Sequence, residues 1–261
     1  MTDTTQEPVH SSNQTGDISR SYWSDVWRQF RSHKGAMAGA IVFFGIIFAT
    51  LLGPWFYNVD ATFIDIRSRN QGPSFDHPFG TDQLGRDILA RMMAGGQVSM
   101  AVGTTAMLIS LILGTLVGVL AGYFKSLDGP LMRLTDLFLA LPLLPLLLVI
   151  ILLFRDPLNA AFGPEGGIFI LMVSAIGITS WMQAARIVRG DVLALKEREF
   201  VLAARSIGTS RTMMIMRHIL PNVLSPIMVS ATLGVANAII TESALSFLGL
   251  GFPPDFPTWG R

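Results

Sequence analysis

MMAGGQVSMAVGTTAMLISLILGTLVGVLAGYF, residues 92–124, contains no Asp, Glu, Lys or Arg. A bilayer core about 30 Å thick needs about 20 apolar residues at about 1.5 Å each, so this stretch is long enough to cross it. Backbone amides cannot stay unpaired in lipid, and barrel strands would be about 10 residues of alternating polarity. The stretch therefore predicts a membrane-spanning helix.

Four further stretches are equally free of charge: residues 35–59, 137–154, 166–185 and 219–241. The chain is 51% hydrophobic and only 14% charged, whereas soluble domains average about 25% charged residues. We therefore predict an all-α, polytopic membrane bundle with five visible spans. No small-residue cleavage site follows a short apolar region, so the first stretch is predicted to be an uncleaved anchor.

Positive charge is distributed unevenly between the predicted spans. Lys and Arg gather before residue 35, at residues 125–133 and at residues 186–217, whereas the four Arg of residues 60–91 are balanced by five Asp. Because positive residues in short loops stay on the cytoplasmic side, the N-terminus is predicted to be cytoplasmic and residues 60–91 to form an outer loop.

The predicted domain organisation follows from this pattern. Residues 1–20 are polar and read as a disordered cytoplasmic tail. Residues 21–34 predict a cytoplasmic amphipathic helix, which either lies on the membrane or leads directly into the first span. Residues 35–261 form the transmembrane domain, with the outer loop 60–91 and a cytoplasmic coupling segment, residues 186–221.

The coupling segment contains REFVLAARSIGTSRTMMIMRHILPN, residues 198–222, which is too ordered in composition for a simple loop. Its apolar residues fall at helical intervals, Gly208 interrupts them, and Pro221 is expected to stop the second helix. Two short helices at an angle are predicted. Ala203 and Ala204 would let a partner approach closely, and the Met side chains would fill its irregular groove. The alternative is a helix on the membrane surface, in contact with lipid headgroups.

This segment resembles the permease signature of ATP-binding-cassette (ABC) importers: Glu-Ala-Ala, three residues, Gly, nine residues, then Ile-x-Leu-Pro. Ala203, Ala204 and Gly208 take their places in it, and Pro221 ends it. Leu202 stands in place of the signature's Glu, and His218 in place of its first Ile. A salt bridge assigned to that Glu therefore cannot be transferred to this chain.

Four stretches are similar to the C-type permease subunit of the dipeptide and oligopeptide branch, which nickel, glutathione and opine importers share. They are RHILPN at 217–222, FGTDQLGRD at 79–87, DLFLALP at 136–142, and ESALSFLGLG at 242–251. The resemblance implies a bundle of the type I ABC importer permease kind. It also implies a sixth helix after the Trp-Gly pair at 259–260, so we expect a truncated chain.

The resemblance further implies a function and partners. The chain would be a permease subunit that moves dipeptides or short oligopeptides across the bacterial cytoplasmic (inner) membrane. Its partners would be a homologous B-type permease subunit, two cytoplasmic ABC ATPase subunits, an extracytoplasmic substrate-binding protein and the lipid bilayer, with no nucleic acid. No Gly-x-x-x-x-Gly-Lys-Ser/Thr loop occurs in the sequence. We expect a non-catalytic chain that binds no cofactor, with ATP and Mg on the ATPase subunits.

Three sets of site residues are predicted. The ATPase-coupling residues are Ala203, Ala204, Arg205, Gly208, Met213, His218, Leu220 and Pro221. The outer-loop residues, which contact the binding protein or merely tie the loop together by ion pairs, are Gly80, Thr81, Asp82, Gly85, Arg86 and Asp87. The candidates for the translocation path are Asp136, Asn237 and Glu242.

Asp136 and a stripe of three glycines in the second span each allow two interpretations. Asp136 has Arg133 one helical turn earlier, which favours an interfacial ion pair over lining of the path. Gly114, Gly118 and Gly122 are spaced by four, which favours close helix packing over a pore.

Two rival classes make different demands on the sequence. An intramembrane enzyme needs a facing nucleophile and base or a set of metal ligands, but the four histidines are scattered and no metal site is predicted. A passive channel or an ion-coupled transporter needs ionisable residues in mid-span or a hydropathy repeat between halves, and neither is evident. Uptake into vesicles that follows ATP rather than an ion gradient would separate the importer from the second rival.

Overall fold

The computed structural model describes residues 22–261, and side chains from residue 27 onward. The predicted tail at residues 1–20 lies outside this part of the chain. Within residues 22–261 the regular structure is helical, apart from one isolated bridge between Thr81 and Asp87. The described part of the chain divides into two units between residues 49 and 50.

The N-terminal unit contains helix α1, Tyr22–Ser32, as the amphipathic pattern predicts. The rings of Trp27 and Phe30 stack on one another with their centroids 5.8 Å apart. Helix α2, Lys34–Phe56, begins after His33 and is the first predicted span.

The second unit contains α3 (Ile88–Tyr123), α4 (Lys125–Ala140), α5 (Leu143–Leu195), α6 (Glu199–Ser206), α7 (Arg211–Met213), a π-helix (Met214–Ile219) and α8 (Leu220–Phe247). A short 3₁₀ turn, Ile66–Ser68, lies in the outer loop. In the part of the chain that is described, four continuous helices are long and apolar enough to cross a membrane: Lys34–Phe56, Ile88–Tyr123, Leu143–Leu195 and Arg211–Phe247.

Helix α5 is divided at Gly163, whose φ of 79° and ψ of 166° are not helical. A Cβ on Gly167 would lie only 2.6 Å from the backbone nitrogen of Asn159. Eight residues of a straight helix span about 12 Å, so the chain must fold back at Gly163. The first arm of α5 (143–162) and the second arm (164–195) therefore match the third and fourth predicted spans. The predicted sixth helix would follow Arg261 and stays a prediction.

The predicted position of the third span, 137–154, was wrong at both ends. Residues 137–140 belong to α4. Leu141 is extended, with φ −77° and ψ 135°, because the ring of Pro142 disfavours a helical conformation at the residue before it. The first arm starts after Pro142 and continues past the uncharged run, through Arg155. Its length is set by the fold-back at Gly163 and not by the end of the uncharged run.

Helix α3 packs against the second arm of α5 through the predicted glycine stripe. A Cβ on Gly114 would lie 2.7 Å from the Ala184 Cβ, and one on Gly118 would lie 2.7 Å from the Ala185 carbonyl oxygen. A Cβ on Gly122 would similarly collide with Val192. Close helix packing by this stripe is confirmed. Elsewhere, α3 and both arms of α5 share a buried apolar cluster with α8 and the C-terminal segment.

This contact predicts opposite effects for two glycine-to-alanine substitutions. Gly118→Ala should lower the free energy of unfolding by about 1–3 kcal/mol, because the new methyl group meets backbone. Gly190→Ala, on the same pair of helices but with open space around the new Cβ, should be neutral or stabilising by up to about 1 kcal/mol. Thermal unfolding of the purified protein in detergent measures both; equal midpoints would contradict the packing.

Candidate functional site

From Glu199 onward, the coupling segment is a helix, a turn and the start of a second helix. Helix α6 ends at Ile207, and Gly208 then adopts a φ of +83°, a left-handed conformation that favours glycine. Ser210 caps the next helix, its hydroxyl oxygen accepting a hydrogen bond from the Met213 backbone N–H at 3.4 Å. The predicted change of direction at Gly208 is therefore present.

The second helix does not stop at Pro221, contrary to the prediction. Residues Met214–Ile219 form a π-helix, and the Leu220 backbone N–H bonds to the Ile215 carbonyl, five residues back. Pro221 follows at the start of α8, where a missing N–H is tolerated. The coupling segment thus continues without a break into the last membrane-spanning helix, Arg211–Phe247.

Burial divides the predicted coupling residues into two groups. Ala204 is buried, and it shares an apolar cluster with Val188, Met214 and Ile219. It packs inward against this chain, so of the two alanines only Ala203 is open to a partner. Their positions on α6 differ because neighbouring residues point about 100° apart.

The remaining surface of the segment is apolar and basic. Ile207, which is not among the predicted coupling residues, is 85% exposed at the turn, and Met213 is 49% exposed. Arg205, Gly208 and Pro221 are also exposed, whereas His218 and Leu220 are partly buried. Large apolar side chains presented to solvent beside charged residues are typical of a surface that binds a partner.

Two ion pairs hold α4 against the part of α5 that leads into α6. Arg189 donates to Asp128, with 2.8 Å between Nη2 and Oδ2, and this hydrogen bond lowers the pKa of Asp128. Asp136 pairs with Arg186. The predicted pair with Arg133 was therefore wrong. The partner lies 50 residues away in sequence, so helical spacing could not indicate it.

The outer loop is tied together by its own polar groups. Gly80 and Gly85 take φ values of +76° and +78°. The Asp82 carboxylate accepts from the Arg86 side chain at 2.7 Å and from two backbone N–H groups. Thr81 donates its hydroxyl to the Ser68 carbonyl. The loop therefore has a defined conformation, which suits either of its predicted roles.

Asp87 joins the outer loop to the start of α3. It caps the helix by accepting from the Ala90 N–H at 2.7 Å, and its second oxygen accepts from the Tyr57 hydroxyl at 2.7 Å and pairs with His77 Nδ1 at 2.8 Å. Burial raises the pKa of Asp87, but the hydrogen bonds from Ala90, His77 and Tyr57 outweigh it and hold the pKa below its ordinary value.

A groove of about 790 Å³ lies between α3, both arms of α5, the end of α4 and α8. Its lining is largely apolar, with polar groups from Ser180, Gln183, Ser230, Asn237 and Thr241. Asn237 is exposed in the groove, where a path residue was predicted. Gln183 was missed, although it is one of the few polar residues in the uncharged stretch 166–185.

Glu242 lies apart from the residues that line the groove, and Asp136 does also. The Glu242 side chain is fully buried, and its two carboxylate oxygens accept hydrogen bonds from Ser99 at 3.0 Å and Ser246 at 2.7 Å. The Ser99 oxygen in turn accepts from the Trp259 N–H at 3.2 Å. Glu242 therefore links α8 to α3 and, through Ser99, to the C-terminal segment.

The described chain combines several helices long and apolar enough to cross a membrane, a groove between them and an exposed, partly apolar coupling segment. This combination is typical of a subunit of a membrane transporter. Residues 110–261 match the family described as binding-protein-dependent transport system inner membrane component. Residues 21–73 match the N-terminal TM domain of oligopeptide transport permease C. The chain belongs to this family of transport permeases, and its resemblance to C-type subunits is confirmed.

Individual relatives agree with the family match. The oligopeptide transport system permease protein OppC of Bacillus subtilis is 39% identical over 93% of this chain and 76% of its own length. The dipeptide transport system permease protein DppC of Bacillus subtilis is 38% identical over 98% and 77%. The glutathione transport system permease protein GsiD of Escherichia coli is 37% identical over 94% and 78%.

The Asp87 contacts predict how the outer loop responds to substitution and pH. Asp87→Ala should destabilise the loop by about 0.5–2 kcal/mol through loss of the cap, whereas Asp87→Asn retains a capping oxygen and should lose less. Hydrogen exchange of residues 57–90 measures this. Because the folded pKa is lowered, the Asp87 contribution is full above the ordinary value of 3.8 and is lost as the pH falls through the lowered pKa. Identical exchange in both variants would contradict the assignment.

Proposed function

We propose that this chain is the membrane-spanning permease subunit of an ABC importer that carries dipeptides or short oligopeptides into the cytoplasm. One observation carries the proposal: the helix that begins in the coupling segment at Arg211 continues to Phe247 and lines the groove with Asn237. A force applied to the coupling segment therefore acts directly on the wall of the substrate path.

Each partner in this proposal binds a different region of the chain. Two cytoplasmic ATPase subunits bind ATP and Mg and hold the coupling segments, and this chain is non-catalytic. A homologous B-type permease closes the open side of the groove, and a substrate-binding protein delivers cargo at the outer loop. The N-terminus lies in the cytoplasm, and the membrane is the bacterial cytoplasmic membrane, in agreement with the distribution of Lys and Arg.

The groove suits a peptide as cargo. Gln183 and Asn237 each offer an amide, which carries one acceptor oxygen and two donors, as a peptide backbone requires. The surrounding apolar residues accept side chains of varied shape. Glutathione is the second candidate cargo, because one relative bears that name; nickel and opines remain alternatives from the branch resemblance.

The proposed coupling of ATP hydrolysis to uptake predicts different results for two substitutions of Gly208. Gly208→Val should abolish most ATP-driven uptake while insertion and ATP hydrolysis persist, because a β-branched residue cannot hold a φ of +83° without strain. Gly208→Asn, which tolerates this conformation, should retain most uptake. Peptide uptake and phosphate release are measured in proteoliposomes. Uptake by wild type without ATP, driven by an ion gradient, would refute the importer.

The groove predicts a role for its two amides. Gln183→Leu and Asn237→Leu should each lower peptide uptake about tenfold, since loss of one hydrogen bond to cargo corresponds to about 1.4 kcal/mol. Met228→Leu on the same helix α8 is the control, because Met228 is exposed but does not line the groove. If all three variants transport equally, the groove is not the path.

A further inference from the structure

Helix α4 has few buried side chains for a helix that forms part of the groove wall. Of its 16 residues, only Thr135 is buried within this chain. The helix is bounded by two residues with extended backbones: Phe124, with φ −98° and ψ 107°, and Leu141, with φ −77° and ψ 135°. Residues that end an element in this way can absorb a change of direction. Helix α4 is therefore built to turn as a rigid rod between two hinges.

The two ion pairs of α4 differ in how firmly they hold it. Near its first end, Asp128 accepts two hydrogen bonds from Arg189, and these side chains are 27% and 31% exposed. Near the other end, Asp136 accepts a single hydrogen bond from Arg186, and these side chains are 60% and 52% exposed. A bidentate, half-buried pair is stronger than a single pair open to solvent. The first end of α4 is therefore fixed, and the second end is held weakly.

The weakly held end is the one that borders the groove. Phe138 lines the groove from this end, and Ile187, directly after Arg186, lines it from α5. The rings of Phe138 and Trp181 also meet edge-on, with their centroids 6.1 Å apart. Residues 140–145, which form the corner between α4 and the first arm of α5, are all exposed. The ion pair thus connects two walls of the groove beside a corner that has little burial of its own.

We propose that the corner at residues 136–143 is a gate in the wall of the groove. The Asp136–Arg186 ion pair holds this gate closed, and α4 turns about the Asp128–Arg189 pair when it opens. The inference rests on the proposed function. Arg186 lies on the helix that leads into the coupling segment, so a displacement of that segment separates the weak pair before the strong one. Exposed ion pairs are weak enough to break and re-form in every transport cycle.

Spin labels on the permease, assembled with cysteine-free partner subunits in lipid nanodiscs, measure the opening. The chain contains no Cys, so introduced cysteines are its only labelling sites. Leu137→Cys reports on the gate and Leu116→Cys on α3 is the reference; both leucines are exposed. Leu127→Cys, near the fixed end of α4, replaces Leu137→Cys in the control pair. Asp136→Asn should raise the open population between positions 116 and 137 about two- to fivefold. The distance between positions 116 and 127 should not change.

Three further measurements separate a gate from a merely structural ion pair. The charge-swapped variant Asp136→Arg/Arg186→Asp should restore the closed population, and Arg133→Gln, at an exposed arginine on the same helix, should leave it unchanged. High salt should open the wild-type gate and have no such effect on Asp136→Asn. The ATP consumed per imported peptide should rise about two- to fivefold in Asp136→Asn, because an open gate lets hydrolysis proceed without moving cargo.

The failure of the gate and the failure of the proposed function give different results. Equal distances between positions 116 and 137 in Asp136→Asn and wild type, while ATP-driven uptake persists, would overturn the gate alone. A wild-type distance that does not respond to salt would do the same. Absence of ATP-driven uptake by the wild-type complex would overturn the proposed function, whatever the distances between the labels.

Discussion

The contact between α3 and the second arm of α5 fixes the rest of the bundle. Lipid tails are as apolar as Leu, so transmembrane helices gain little from hydrophobic burial against each other and depend on close packing. Gly114, Gly118 and Gly122 remove the side chains that would separate the two backbones. This contact sets the position of the far end of α5, and with it that of α6 and of the turn after Ile207.

Helix α8 is held at one end and continuous with the coupling segment at the other. Glu242 binds Ser99 of α3 and Ser246 of its own helix, inside the bundle. At the opposite end, the π-helix lets the chain pass Pro221 without a break. A helix with one end anchored and the other end projecting can transmit displacement along its length, and Asn237 lies between these two points.

The outer loop and the coupling segment differ in whether their charged side chains are paired within the chain. In the outer loop, Asp82 pairs with Arg86. Asp87 accepts hydrogen bonds from Tyr57 and from the first turn of α3, and it pairs with His77. In the coupling segment, the arginines beyond Glu199 are exposed and take part in none of the ion pairs of the described residues. The family is described as an inner membrane component of a transport system, and the dipeptide, oligopeptide and glutathione relatives are each named as the permease protein of such a system.

The sequence by itself determined the class of this protein. Uncharged runs, the glycine spacing and the signature at residues 203–221 predicted a helical permease, its close-packed stripe and its turn at Gly208, because these are properties of single segments. Tertiary structure decided which residues meet. Contacts between distant segments pair Asp136 with Arg186, bury Ala204 and bring Gln183 and Asn237 to the same groove. The continuity of the helix past Pro221 depends on the π-helix that precedes it. No residue spacing along one helix encodes such contacts, so only the folded chain could show them.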